Sequence, residues 1–198
     1  MITATIKEVE VSFRTKDGLF SPRSIDRGTL AMLSVIDFEQ SDNICDLGCG
    51  YGVVGILAAK IIGPERVVMA DNDVKAVEAA IENAQANHVA GVETVVSDGF
   101  TNVRQKDFTK IICHPPYHAD FAVPKLFIEK GFNRLALDGR MYMVTKRKDW
   151  YKNKLISVFG GVKVWEIDEY FVFMAIKKSG SYANAKPRGK GSGGKKKS

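Results

Sequence analysis

Apolar and polar positions change period several times along the chain. In T-I-K-E-V-E-V-S-F, residues 5–13, apolar Ile6, Val9, Val11 and Phe13 sit among polar neighbours. That alternation predicts a strand, half of a hairpin with Lys16-Asp17-Gly18 as its turn. From Ile25 to Ile36 the spacing becomes helical, with Ser24 as a candidate N-cap. A short apolar run, Ile44 to Leu47, predicts the first core strand, and Val53 to Ile62 a helix stopped by Gly63-Pro64. Arg66 to Ala70 reads as a buried strand ending at Asp71. Asp73 is placed to cap a helix over Val74 to Asn87, with Val74, Val77, Ile81 and Ala84 as its apolar face. Further strands are predicted over Val92 to Val96, Lys110 to Cys113 and Met141 to Thr145. Helices are predicted over Val123 to Leu137, stopped by Asp138-Gly139, and over Trp150 to Phe159. Two strands, Val162 to Ile167 and Tyr170 to Ile176, close the pattern around Asp168-Glu169.

Strands alternating with helices imply an α/β fold, a largely parallel sheet with helices on both faces. Ligands of such sheets bind beyond the carboxyl ends of the strands. The chemically notable residues all fall there. Asp46 and a glycine turn follow the first core strand, Asp71 the second, Asp98-Gly99 the third, and His114-Pro115-Pro116-Tyr117 the fourth.

The glycine turn is D-L-G-C-G-Y-G, with Gly48, Gly50 and Gly52 around Cys49. Glycines let the backbone turn sharply and let a ligand lie against bare main chain. The following helix offers unpaired N–H groups to an anion. Gly50-x-Gly52-x-x-Gly55 also satisfies a dinucleotide fingerprint, and Asp71 follows near the spacing of a ribose acid. A nucleotide-like ligand fits either a nicotinamide cofactor or a methyl donor. With the acid Asp46 two residues before the first glycine, the turn resembles motif I of class I methyltransferases, which implies S-adenosylmethionine. Asp71 is suited to accept from two ribose hydroxyls, and Asp98 from an adenine amine with Phe100 or another apolar side chain against the ring.

Composition narrows the class. At 198 residues and 45% hydrophobic, the chain can bury one sizeable core. No apolar run approaches a membrane span and no secretory signal is visible, so a cytoplasmic protein is expected. Cys45, Cys49 and Cys113 lack metal-ligand spacing and read as reduced, buried thiols, with no metal expected. The net charge is +6, but Lys177 to Ser198 holds eight basic residues and no acid. The rest therefore carries about −2. The segment 179–198 is expected to be a disordered basic tail, either an arm for nucleic acid or a solubilising extension.

His114-Pro115-Pro116-Tyr117 carries the second chemistry. Two prolines stiffen the loop and fix its carbonyls, and an aromatic at its end can stack on a base. The loop resembles the N-P-P-Y or D-P-P-Y loop of amino methyltransferases, whose substrate, an exocyclic amine, has its lone pair delocalised into the ring. Acceptors on both of its N–H bonds hold it toward tetrahedral geometry, so the lone pair can attack a methyl group in line. A neutral imidazole at residue 114 has one acceptor nitrogen for this, and it could take the proton as general base. His118 is a second candidate, more simply an exposed loop histidine. His88 reads as a helix C-terminal cap.

These motifs, with F-R-T-K-D-G-L-F-S, I-D-R-G-T-L-A-M-L, A-D-N-D-V-K-A-V and S-D-G-F, resemble class I S-adenosylmethionine-dependent methyltransferases. The closest resemblance is to the bacterial small-subunit rRNA guanine-N2 methyltransferases, as a single-domain member over residues 5–176. The resemblance implies a Rossmann-like seven-stranded sheet with its last strand antiparallel. It implies a methyltransferase domain over 1–178, with N-terminal strands and helix in 1–40 and a core in 41–176. It also implies that Asp26, Gly28 and Thr29 line the donor pocket and that Phe20-Ser21 helps close it. The implied acceptor is RNA, in particular small-subunit ribosomal RNA or its assembling subunit. His114 stands where that family has Asn, and Asn72 where an apolar residue packs on adenine. Rival readings are a methyltransferase for protein or a small metabolite, and a non-catalytic RNA-binding protein that keeps the fold.

Overall fold

In chain order the elements are β1 (Ile2–Ile6), β2 (Val9–Phe13), α1 (Arg27–Ser34), β3 (Ile44–Leu47), α2 (Val53–Ile62), β4 (Val67–Asp71), α3 (Val74–Ala86) and β5 (Glu93–Val96). Then follow β6 (Phe108–Cys113), α4 (Ala122–Arg134), β7 (Leu135–Thr145), α5 (Asp149–Phe159), β8 (Lys163–Ile167) and β9 (Tyr170–Ile176). The computed structural model describes residues 1–15, 18–116 and 121–183. Seven strands form one sheet in the order β5-β4-β3-β6-β7-β9-β8. The first five are parallel, and β9 runs antiparallel to both β7 and β8. Strand β3, I-C-D-L, is buried at all four residues because both faces are covered. One apolar core packs α1, α2, α3 and β2 on one face, and a second packs α4 and α5 on the other. Among the described residues no helix is long and apolar enough to cross a membrane.

The largest departure from the sequence pattern is at the N-terminus. Residues 5–13 are not one strand. β1 and β2 form a two-stranded hairpin whose turn is Lys7-Glu8, both at positive φ (51° and 64°). Such turns favour Asn-Gly, so Lys-Glu gives no sequence signal. The turn expected at Lys16-Asp17-Gly18 falls largely on residues 16–17, outside the described residues. The hairpin is tied down by α3. Asn83 Oδ1 accepts from the Arg14 N–H at 2.7 Å, and its amide donates to the Arg14 and Tyr51 carbonyls, each at 3.0 Å. Asn87 pairs in the same way with both backbone groups of Ser12, at 3.0 and 2.6 Å. Two helix side chains thus supply the hydrogen bonds that a neighbouring strand would give to alternate residues of β2's edge.

That contact shifts the expected face of α3 in part: Val77 and Ala84 are buried as expected. Val74 and Ile81 are exposed (53% and 41%), while Asn83 and Asn87 are buried with Ala76, Val77 and Ala80. Helix α1 is capped by Asp26, not Ser24: Asp26 Oδ2 accepts from the Thr29 N–H at 3.0 Å. Asp73 caps α3 as expected. Helix α4 ends at Arg134, short of Asp138-Gly139, and β7 starts at once. Asp138-Gly139 instead forms an irregularity within the β6–β7 pairing. A side chain at Gly139 would meet the Phe108 and Ala136 carbonyls at 2.8 and 2.9 Å. Asp168-Glu169 is the β8–β9 turn, both residues at positive φ.

Candidate active site

A cavity of about 270 Å³ opens at the carboxyl ends of the parallel strands. It collects most of the predicted residues: Asp46, Gly48, Cys49 and Gly50 from the first turn, Asp71 and Asn72 after β4, and Asp98 and Gly99 after β5. His114 and Pro116 follow β6, and Phe20, Asp26 and Thr29 come from the N-terminal segment. Several predicted residues, Pro115, Gly52, Gly28, Ser21 and Phe100, are not in the cavity wall. Pro115 is buried behind it. At Gly52 a side chain would meet Ile56 at 2.8 Å and Met69 at 3.3 Å, so this glycine serves the packing of α2. Gly28 lies under Tyr170, whose ring carbon is 2.5 Å from where a Cβ would stand. Tyr117 and His118 lie outside the described residues.

The glycine turn is built around two acids. Gly48 and Gly50 adopt positive φ (74° and 55°), and no atom within 4 Å would meet a Cβ at Gly50. This backbone is bare toward open space. Asp71 Oδ2 accepts from the Gly50 N–H at 2.8 Å, and its Oδ1 from the Asp73 N–H at 3.0 Å. Each carboxylate oxygen keeps a further lone pair. Asp46 instead holds the next helix, accepting from the Gly55 N–H at 2.8 Å. Burial pushes its carboxyl up to about 7 against that hydrogen bond, and the Asp71 charge adds to the rise. Asp98 is exposed at the cavity rim. Cys45, Cys49 and Cys113 are buried and free, with thiol pKa values raised by burial.

Phe100 does not face the cavity. It lies in the second core with the Arg134 guanidinium 5.8 Å over its ring. Val123 and Phe127 on α4 supply apolar wall instead. Their i, i+4 spacing one turn into α4 was the available signal. Tyr51, between two motif glycines, is also in the wall, and its hydroxyl donates to the Ser21 carbonyl at 3.5 Å. Burial and the nearby Asp26 raise its pKa to about 12.

His114 is met by residues far away in sequence. Its Nδ1 is 3.1 Å from Thr29 Oγ1 and 3.5 Å from Asp26 Oδ2. The Phe20 ring stands edge-on at 5.3 Å and the Tyr170 ring at 6.5 Å. Burial lowers the His114 pKa and Asp26 partly opposes it, so the ring is neutral at neutral pH. Beside an acceptor-only carboxylate, the Nδ1–H tautomer is favoured, which leaves the lone pair on Nε2.

The architecture is shared with known proteins. The T. thermophilus 16S rRNA N2 methyltransferase RsmC, solved with AdoMet and guanosine, superposes with a TM-score of 0.80 at 24% identity over 89% of this chain and 50% of that one. At that identity the likeness is one of fold. An uncharacterized protein of Bacillus subtilis, YbxB, is 29% identical over 87% of this chain and 89% of its own length. The ribosomal RNA large subunit methyltransferase G of Alteromonas mediterranea is 30% identical over 80% of this chain. This chain spans only 42% of that relative's length. Residues 10–175 match the methyltransferase small domain, and the chain belongs to that family.

Proposed function

We propose that this protein transfers a methyl group from S-adenosylmethionine to an exocyclic amine of ribosomal RNA, guanine N2, in the cytoplasm. One observation carries the reading: a single cavity is walled by the bare glycine turn with Asp71 and by the His114 loop. The first arrangement suits an adenosine-bearing donor, and the second suits a flat amine. The donor, when bound, supplies a methyl group on a positively charged sulfur. Asp71 accepts from the ribose hydroxyls through its remaining lone pairs, Asp98 accepts from the adenine amine, and Phe127 packs on apolar surface. Neutral His114, oriented by Asp26 and Thr29, accepts from the target amine together with a carbonyl of the stiff Pro115-Pro116 step. Tyr117 stacks on the base. The small subunit is the leading substrate. Relatives named as large-subunit methyltransferases put the large subunit in the same experiment.

The test incubates the protein with methyl-labelled S-adenosylmethionine and unmodified small subunits, large subunits or naked RNA, then identifies the labelled nucleoside. Label in N2-methylguanosine supports the whole reading. Label confined to protein, or no label despite donor binding, overturns the RNA acceptor.

A further inference from the structure

Strands β6 and β7 pair in parallel with Cys113 opposite Met143, so their carboxyl ends emerge side by side. His114 to Pro116 leave one, and Lys146-Arg147-Lys148 leave the other two residues further along. All three basic residues are exposed, and each sits over an aromatic ring. Lys146 Nζ is 4.9 Å from the centre of Tyr170, Arg147 is 5.2 Å from Phe121, and Lys148 is 5.0 Å from Phe171. Phe121 is itself stacked on Trp150 at 4.4 Å and 17°. Tyr170 also stands edge-on to His114, so the ridge is two ring contacts from the proposed reaction centre.

We infer that Lys146, Arg147 and Lys148 form a preorganised phosphate-binding ridge for the RNA strand flanking the target guanine. The inference rests on the RNA reading above. The rings hold the long stems in place and reduce the rotamer entropy that binding would otherwise cost. Glu169 and Glu166 lie 3.6 and 3.8 Å from Lys146 and Lys148. Such exposed ion pairs are weak, and phosphates can compete for the lysines. Among the described residues Arg147 makes no ion pair. Outside Lys177 to Ser198 the chain carries about −2. Three consecutive cations at this edge are therefore a local feature, fitted to a polyanion beside the cavity.

The experiment measures binding of a short single-stranded RNA across a salt series, using the full chain. Lys146→Gln/Arg147→Gln/Lys148→Gln should flatten the plot of log affinity against log salt by about two units, from roughly 0.7 per lost phosphate contact. Affinity at low salt should fall at least tenfold, with donor affinity and melting temperature unchanged. Lys146→Arg/Lys148→Arg, which keeps all three cations, should bind with the wild-type slope. An unchanged slope in the glutamine variant overturns the ridge. So does a slope lost only in the tail variant Lys195→Gln/Lys196→Gln/Lys197→Gln. Wild-type RNA binding with the expected slope but no RNA methylation would remove the RNA-acceptor reading, and with it the target guanine, and support the ridge only as an RNA phosphate site.

Discussion

The two halves of the cavity are built in different ways. The glycine-turn half is local: Gly50 and Asp71 are joined by one hydrogen bond across 21 residues, at the ends of adjacent strands. The histidine half is assembled from a distance. Thr29 and His114 are 85 residues apart, and the segment carrying Phe20, Asp26 and Thr29 is anchored through Asn83, 69 residues from Arg14. The first half therefore stands on the sheet itself, whereas the second depends on the N-terminal segment staying docked.

His114→Ala separates the halves most sharply. Turnover should fall about 10²–10⁴-fold, while donor affinity by calorimetry stays near wild type. Retained turnover would remove His114 from the chemistry. His114→Asn should keep activity if the ring acts only as an acceptor, and a loss as large as alanine's would point to base catalysis.

Asn83→Leu attacks the anchor rather than the site. It strands the Arg14 N–H and carbonyl and the buried Tyr51 carbonyl, so stability should drop by about 2–4 kcal/mol in urea unfolding. Amide exchange over residues 1–34 should rise more than over β3 and β4. Uniform exchange would mean that the two halves are not separable.

Asp46 gives a pH signature that belongs to the glycine-turn half. Its carboxyl is raised by burial to about 7 in the folded state. A raised pKa means that the folded state holds the proton more tightly. This stabilisation is full below the unfolded pKa near 4 and is lost as pH rises through about 7. Stability should fall by about 2 kcal/mol between pH 5 and 7, at up to about 1.4 kcal/mol per unit. Asp46→Asn should flatten that slope, and parallel curves for both proteins would refute the assignment.

The smallest effect is expected from Asp71→Asn. One oxygen remains to accept, so the turn survives, but donor affinity should weaken roughly tenfold through loss of charged hydrogen bonds. Turnover at saturating donor should hold. A fall in turnover without a fall in affinity would put Asp71 in the wrong half.

The glycine-turn half was legible because its signal is local. An apolar strand, an acid, glycines and a second acid at fixed spacing place themselves once the sheet is parallel. Gly52 was the exception: its glycine answers to Ile56 and Met69, which spacing does not reveal. Phe100 is expected at the cavity and Phe127 is not, for a similar reason. Both are apolar residues near the same strand end, and only packing puts one beside Arg134 and the other on the cavity. Asn83 and Asn87 gave no signal, since buried amides on a helix face are readable only when their strand partner is known.

The sequence by itself determined the order of strands and helices after the N-terminal hairpin, the glycine turn, the acids that follow β3, β4 and β5, and the stiff histidine loop. These depend on residue period and on conformational limits within a few neighbours. Only the tertiary structure decided that Asp26 and Thr29 meet Nδ1 of His114, that β2 is held by side-chain amides, and that a cationic triplet stands beside the loop. Those contacts join residues tens of positions apart, and no local preference encodes which of them the packed chain brings together.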